Sequence, residues 1–235
     1  MAGLLYAGQQ QINEHFSIHV PSVGEIYDNE DAYYDVVCSI VSTPYDMMVQ
    51  LDDAGIDFTK INDFDLFCLM FPRLQEIDTS LVFGDTDLKG FKAAVNQQNG
   101  NIVLVDDASG AVIDRAIHDE IARFLRMILH IEKNEKRPAN EEARKYMIER
   151  ARKKQSRMKK KKESGLEDFI VALVNNADFP YNYETVRDIS IYQFYSSLHQ
   201  ISHKIKFSNT MIGYYAGTVK FEDLNPKDRS WIFNQ

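Results

Sequence analysis

His199 and His203 stand four residues apart in a stretch with helical periodicity, the spacing at which two imidazoles can share one zinc ion. No HExxH pattern surrounds them and neither cysteine is near, so a partly exposed histidine pair without metal is expected. His118 and His130 flank another amphipathic stretch, with no partner visible in the sequence. In GDTDLKG, Asp85, Asp87 and Gly90 hold the first, third and sixth places of a calcium loop, but Lys89 fills the fifth and Asn96 the twelfth. Without the closing bidentate carboxylate the segment reads as an acidic turn. Asp63 with Asp65, and Asp106 with Asp107, could serve acid and base chemistry only if one cleft gave each pair two different environments. Capping and turn roles account for all four. The sequence has no glycine-rich phosphate loop, no G-x-S-x-G and no CxxC. A protein that binds rather than reacts is expected, with no catalytic residue, no cofactor and no metal.

The groups suited to binding are cations. Arg144, Lys145, Arg150, Arg152, Lys153, Lys154, Arg157, Lys159, Lys160, Lys161 and Lys162 lie in one window whose only acidic residue is Glu149. The window thus holds eleven of the 27 Lys and Arg and one of the 35 Asp and Glu, a cationic segment in a strongly anionic body. Such a segment can neutralise phosphates, which gives salt-dependent affinity for nucleic acid without sequence information. It lacks interleaved aromatics for base stacking, and Lys159 to Lys162 surround the helix with like charge. A solvated arm that meets the protein's own acidic surface or an acidic partner is the simpler reading.

The elements that must carry these groups are legible in part. Phe16, Ile18 and Val20 alternate with polar residues and predict a short strand ended by Pro21, and Ser22 to Glu25 has capping-box spacing. A helix is expected over about Asp31 to Val41, another over Pro44 to Ala54 between Thr43 and Gly55, and a buried one over Asn62 to Phe71. Thr79 to Phe83, Phe91 to Val95, Ile102 to Val105 and Ala111 to Ile113 read as short strands separated by turn residues. Ile117 to Leu129 forms an amphipathic stripe in a stretch ended by Pro138, and Asn140 caps the basic helix, whose second half should leave the body. Ser164 to Glu167 and Ser190 to Gln193 repeat the capping spacing before two further helices, and a short aromatic helix around Tyr214 and Tyr215 ends at Gly217. The fold expected is mainly α with a small antiparallel β element, α+β, and a protruding basic helix. Its parts are 1–137 with the small sheet, a basic arm over 138–163, and helices over 164–235 packed on the first part as one domain.

Composition bounds the setting. A chain of 235 residues with 44% hydrophobic content can bury a core. Cys38 and Cys68, both flanked by apolar residues, read as buried free thiols of a reducing compartment. The N-terminus has no basic region before its short apolar run, so neither a secretory signal nor a membrane partner is expected.

Taken together, VPSVGEIYD (20–28), STPYDMMVQLDDAGIDF (42–58), DFDLF (63–67), TSLVFGDTDL (79–88), SIYQFYSSLHQI (190–201) and the following IGYYAG make the chain resemble a group of tailed-phage and prophage proteins of Firmicutes phages. It is also distantly similar to baseplate-hub and tail-assembly proteins of T-even-type phages. The resemblance spans about Phe16 to Trp231 and rests on structural phrases. It implies an accessory protein of tail or baseplate assembly, a chaperone or adaptor and not an enzyme, working in the host bacterial cytoplasm or carried with the virion. Its partner would be a phage tail or baseplate protein, met through the basic helix and through Tyr214, Tyr215 and Trp231. Two alternatives are a nucleic-acid-binding accessory protein using 144–162 and a virion structural subunit. The region from Arg144 to Lys162 is more basic than the mixed charge usual in the group.

Overall fold

A computed structural model describes residues 3–97, 100–158 and 165–233. Its first sheet pairs β1 (Gln9–Gln11) with β2 (Ser17–His19) antiparallel, with Gln10 opposite Ile18. The hairpin turn is held by Asn13, whose side-chain oxygen accepts the amides of His15 and Phe16. Phe16 and Ile18 then point into the core with no exposed surface.

Helix α1 (Val23–Asp28) starts in the capping box expected of Ser22 and Glu25, each satisfying a free amide of the other's turn. Helix α2 (Glu30–Val41) buries Tyr33, Val36, Val37 and Ile40, which recur at helical spacing. Its Cys38 lies on the opposite face and is exposed, and Cys68 is half-buried, so neither free thiol is fully buried as expected. Flanking apolar residues mislead here because Val37 and Ser39 face the core while Cys38 does not.

The helix expected from Pro44 begins only at Met48. The Asp46 carboxylate takes both the amide and the hydroxyl of Thr43, closing a separate turn ahead of α3 (Met48–Asp53). Helix α4 (Asp63–Leu74) has a capping box built from Asn62 and Asp65. Thr79 to Phe83 is not a strand but carries the helical turn α5 (Ser80–Phe83). The Asp78 carboxylate accepts the Ser80 amide, and the amides of Val82 and Phe83 bond back to the Thr79 carbonyl. That local cap outweighs the β preference of a short apolar run.

The other three runs form one antiparallel sheet in the order β3 (Lys92–Val95), β4 (Ile102–Asp106), β5 (Ala111–Ile113). Asp114 then caps α6 (Arg115–Leu129), which buries Ile121, Phe124, Leu125 and Ile128. Helix α6 stops at His130, in left-handed conformation at φ 54°, well before Pro138. The basic helix is α7 (Glu141–Met158), with Asn140 accepting the Ala143 amide at its start. Helix α8 (Leu166–Val174) opens on Gly165, and its first amide donates to Glu30 at the start of α2. Ser164, expected as its cap, lies outside the described residues.

The last helix, α9 (Ile191–Tyr215), starts in the expected Ser190 and Gln193 capping box and runs through Tyr214 and Tyr215 without a break. The separate short aromatic helix expected there is its final turn. A large core joins β2, α1, α2, α4, α6, α8 and α9, and a smaller one of Met48, Val49, Leu51, Phe58, Leu66 and Ile148 lies beneath α7. The fold is thus α+β with a helical body, as the sequence implies. Among the described residues no helix is long and apolar enough to cross a membrane.

Candidate partner-binding interface

Helix α7 divides its cations between two faces. Ile148 is buried in the smaller core, and Met147 and Ala151 pack at its edge, so one stripe of the helix faces the body. Arg144 and Arg152 lie on that side. Arg144 pairs with Glu141 at 2.7 Å and approaches Asp57 at 3.8 Å. Arg152 donates to Asp53 at 2.6 Å and to Asp52 at 2.8 Å, both at the end of α3. Hydrogen bonds to Asp53 and Asp52 hold the Arg152 guanidinium more firmly charged than usual, and the bond to Glu141 does the same for Arg144.

Lys145, Arg150, Lys153, Lys154 and Arg157 are exposed and form no ion pair with another described residue. These are the cations left to meet something else. Lys159, Lys160, Lys161 and Lys162 lie outside the described residues. The departure of α7 from the body therefore cannot begin before Arg152, because Ile148, Ala151 and Arg152 all dock.

Along the groove side of α7, Met147, Arg150, Ala151, Lys154 and Arg157 recur at helical spacing and form one wall of a cleft of about 860 Å³. Tyr45, Asp46, Met48, Asn134 and Lys136 line the same cleft. The cleft exists because Asn134 donates to one Asp46 oxygen at 2.9 Å while Thr43 holds the other at 2.8 Å. That link pulls the segment after α6 across to the turn before α3. Sequence reasoning names the cations but misses Tyr45, Met48, Met147, Asn134 and Lys136, since an 88-residue separation leaves no local signal. The i, i+4 spacing of Met147 and Ala151 is the one available hint.

The aromatic candidates do not form one patch. Tyr214 and Tyr215 sit at the far end of α9, where Tyr214 meets Phe221 edge-on at 6.0 Å. Trp231 lies near Gln200, which donates to its carbonyl at 2.8 Å. Fourteen helical residues separate these points, about 21 Å along the axis. Tyr215 is 81% exposed and Trp231 55%, so the C-terminal segment docks on α9 through its backbone more than through its indole.

The two histidines of the pair meet different neighbours. His203 Nε2 is 2.8 Å from the Ser230 carbonyl, and His199 is stacked between His130 and Phe233. Among the described residues no group of three or more His, Cys, Asp or Glu could hold a metal ion. Asp65 and Asp106 serve a cap and a turn as expected, whereas Asp63 pairs with Lys133 at 2.8 Å. Asp87 accepts the Lys89 amide in a tight turn.

The family described as YomV second domain matches residues 159–234, less than half of the sequence. That family is of Bacillus phage and prophage type, and the match is consistent with a phage protein. No curated protein and no solved structure matches the chain.

Proposed function

We propose that the chain is a phage accessory protein of tail or baseplate assembly, a chaperone or adaptor that binds an acidic partner protein through the outward cations of α7. Arg144 and Arg152 fix the helix to the body, which leaves Arg150, Lys153, Lys154 and Arg157 exposed as an ordered cationic row. That division of labour is the observation on which the reading rests, because a merely solvated arm needs no anchoring residues. The resemblance of the segments from VPSVGEIYD to IGYYAG supports the assembly setting, and the family match supports a phage origin. The protein carries out no reaction of its own and acts in the host bacterial cytoplasm or with the virion.

Affinity capture from phage-induced cells tests the reading, comparing the natural chain with a Lys153→Glu, Lys154→Glu, Arg157→Glu variant. Tail or baseplate proteins should copurify with the first and be lost from the second. Nuclease-sensitive capture of replication or packaging proteins instead would favour the nucleic-acid reading.

A further inference from the structure

Three features of the surface invite a ligand. The first is a cleft of about 480 Å³ between the turn after α3 and the start of α7. Its three carboxylates are each already paired, Asp63 with Lys133, Asp119 with Arg115 and Glu141 with Arg144, which leaves Arg137 as a single cation with no apolar floor beside it comparable to that along α7. The second is a hollow of about 650 Å³ beside His130, His199 and Phe233. Its cations are likewise engaged, Arg123 with Glu120 and Arg126 with the Val41 carbonyl. The third is the 860 Å³ groove along α7, and its charges are not compensated.

We infer that this groove takes a short acidic amphipathic helix of the partner protein, whose apolar side lies on Tyr45, Met48, Met147 and Ala151 and whose carboxylates meet Arg150, Lys154 and Arg157. The inference rests on the protein-binding reading above and adds the site and the chemistry of the bound segment. Charge complementarity decides the occupant. Asp46 is the one acidic side chain among the described lining residues, and both of its oxygens are already engaged by Thr43 and Asn134. Lys136, Arg150, Lys153, Lys154 and Arg157 line the same groove and pair with no carboxylate of another described residue.

A cationic rim alone would suit a phosphate backbone equally well. The floor distinguishes the two. Two methionines and an alanine offer no side-chain hydrogen-bond donor for phosphates and Tyr45 offers only its single hydroxyl, while thioethers adapt to apolar side chains of varied shape. From Arg150 to Arg157 the wall is about 11 Å long, the length of two helical turns. A helix with apolar residues at i, i+3, i+4 and i+7, flanked by Asp or Glu, matches both floor and rim.

The test uses the full chain with carbon-13 labelled methionine methyls and a fluorescent acidic amphipathic peptide of about 16 residues. Two controls accompany it, a scrambled peptide of the same composition and a duplex DNA of about 20 base pairs. Binding of the ordered peptide is expected to shift the Met147 and Met48 methyl signals. Its affinity should exceed that of the scrambled peptide by about tenfold and fall about tenfold in Arg150→Glu, Lys154→Glu. Equal binding of the two peptides, or binding that leaves both methyl signals in place, overturns the groove while leaving the protein-binding reading standing. Duplex DNA that shifts the α7 signals while neither peptide binds overturns both.

Discussion

The imidazole of His130 lies against that of His199, ring centres 4.8 Å apart and planes 21° from parallel. Tyr192 continues the stack on one side and Phe233 on the other, at 5.6 Å and 5.5 Å. The ladder joins the end of α6, the middle of α9 and the returning C-terminal segment. Burial, followed by the charge of His199, pushes the His130 pKa down to about 4. His118 is pushed down as well, by burial, among Phe64 and Phe67.

Both histidines are held in the neutral form, so the unfolded chain binds more protons than the folded one below the ordinary histidine range. Stability should therefore be fully present above about pH 6.5 and fall as pH drops towards about 4, with no further loss from His130 below that. Thermal melts across this window check the sign. In His199→Gln the slope should be shallower, and a melt that is flat between these values would contradict the ladder's role.

Ile148 is the apolar anchor of α7, 5% exposed in the smaller core. Ile148→Ala should cost about 2–3 kcal/mol locally, because the cavity cannot fully collapse between α3 and α4. Hydrogen exchange should show α7 amides opening faster, while those of α6 and α9 remain protected. Arg152→Ala should loosen only the residues after Ala151, since the exposed pair with Asp52 and Asp53 fastens that end alone.

Ser190 caps the longest helix among the described residues. Its hydroxyl accepts the Gln193 amide at 3.2 Å while Gln193 accepts the Ser190 amide at 3.1 Å. Ser190→Ala should lower stability by about 1 kcal/mol in denaturant titrations, the ordinary worth of an N-cap. Ser190→Asp should restore most of it.

Cys38 is exposed while Cys68 is only half-exposed. Partial burial, then the Asp65 charge, lifts the Cys68 thiol to about 11, and partial burial with Asp35 and Asp46 lifts Cys38. At pH 7 both should react slowly with iodoacetamide, because the thiolate is the nucleophile. Cys38 should be the faster of the two, as peptide mapping would show.

Features set by residues three or four apart are legible in the sequence. The capping boxes at Ser22 and Ser190, the amphipathic stripe of α6 and the turn at Asp106 all depend on neighbours along the chain. Thr79 to Phe83 fails because its helical geometry is decided by Asp78 just outside the apolar run. Long-range relations leave no such trace. Glu30 satisfies the first amide of α8 from 136 residues away, and Asn134 reaches Asp46 across 88. For the same reason the cations of α7 are visible in the sequence, while the division between anchoring Arg152 and outward Lys154 is not. The apolar floor that turns a charged helix into a groove is hidden too.

On this reading the outward face of α7 meets an acidic protein segment. That contact is tested most directly by placing a photo-crosslinking benzoyl-phenylalanine at Lys154 in phage-induced cells and identifying the adduct by mass spectrometry, with the same group at Lys92 on β3 as a control. A light-dependent adduct is expected at position 154 with an acidic segment of a tail or baseplate protein, and none at position 92. Adducts to nucleic acid alone, or the same adducts at both positions, would contradict it.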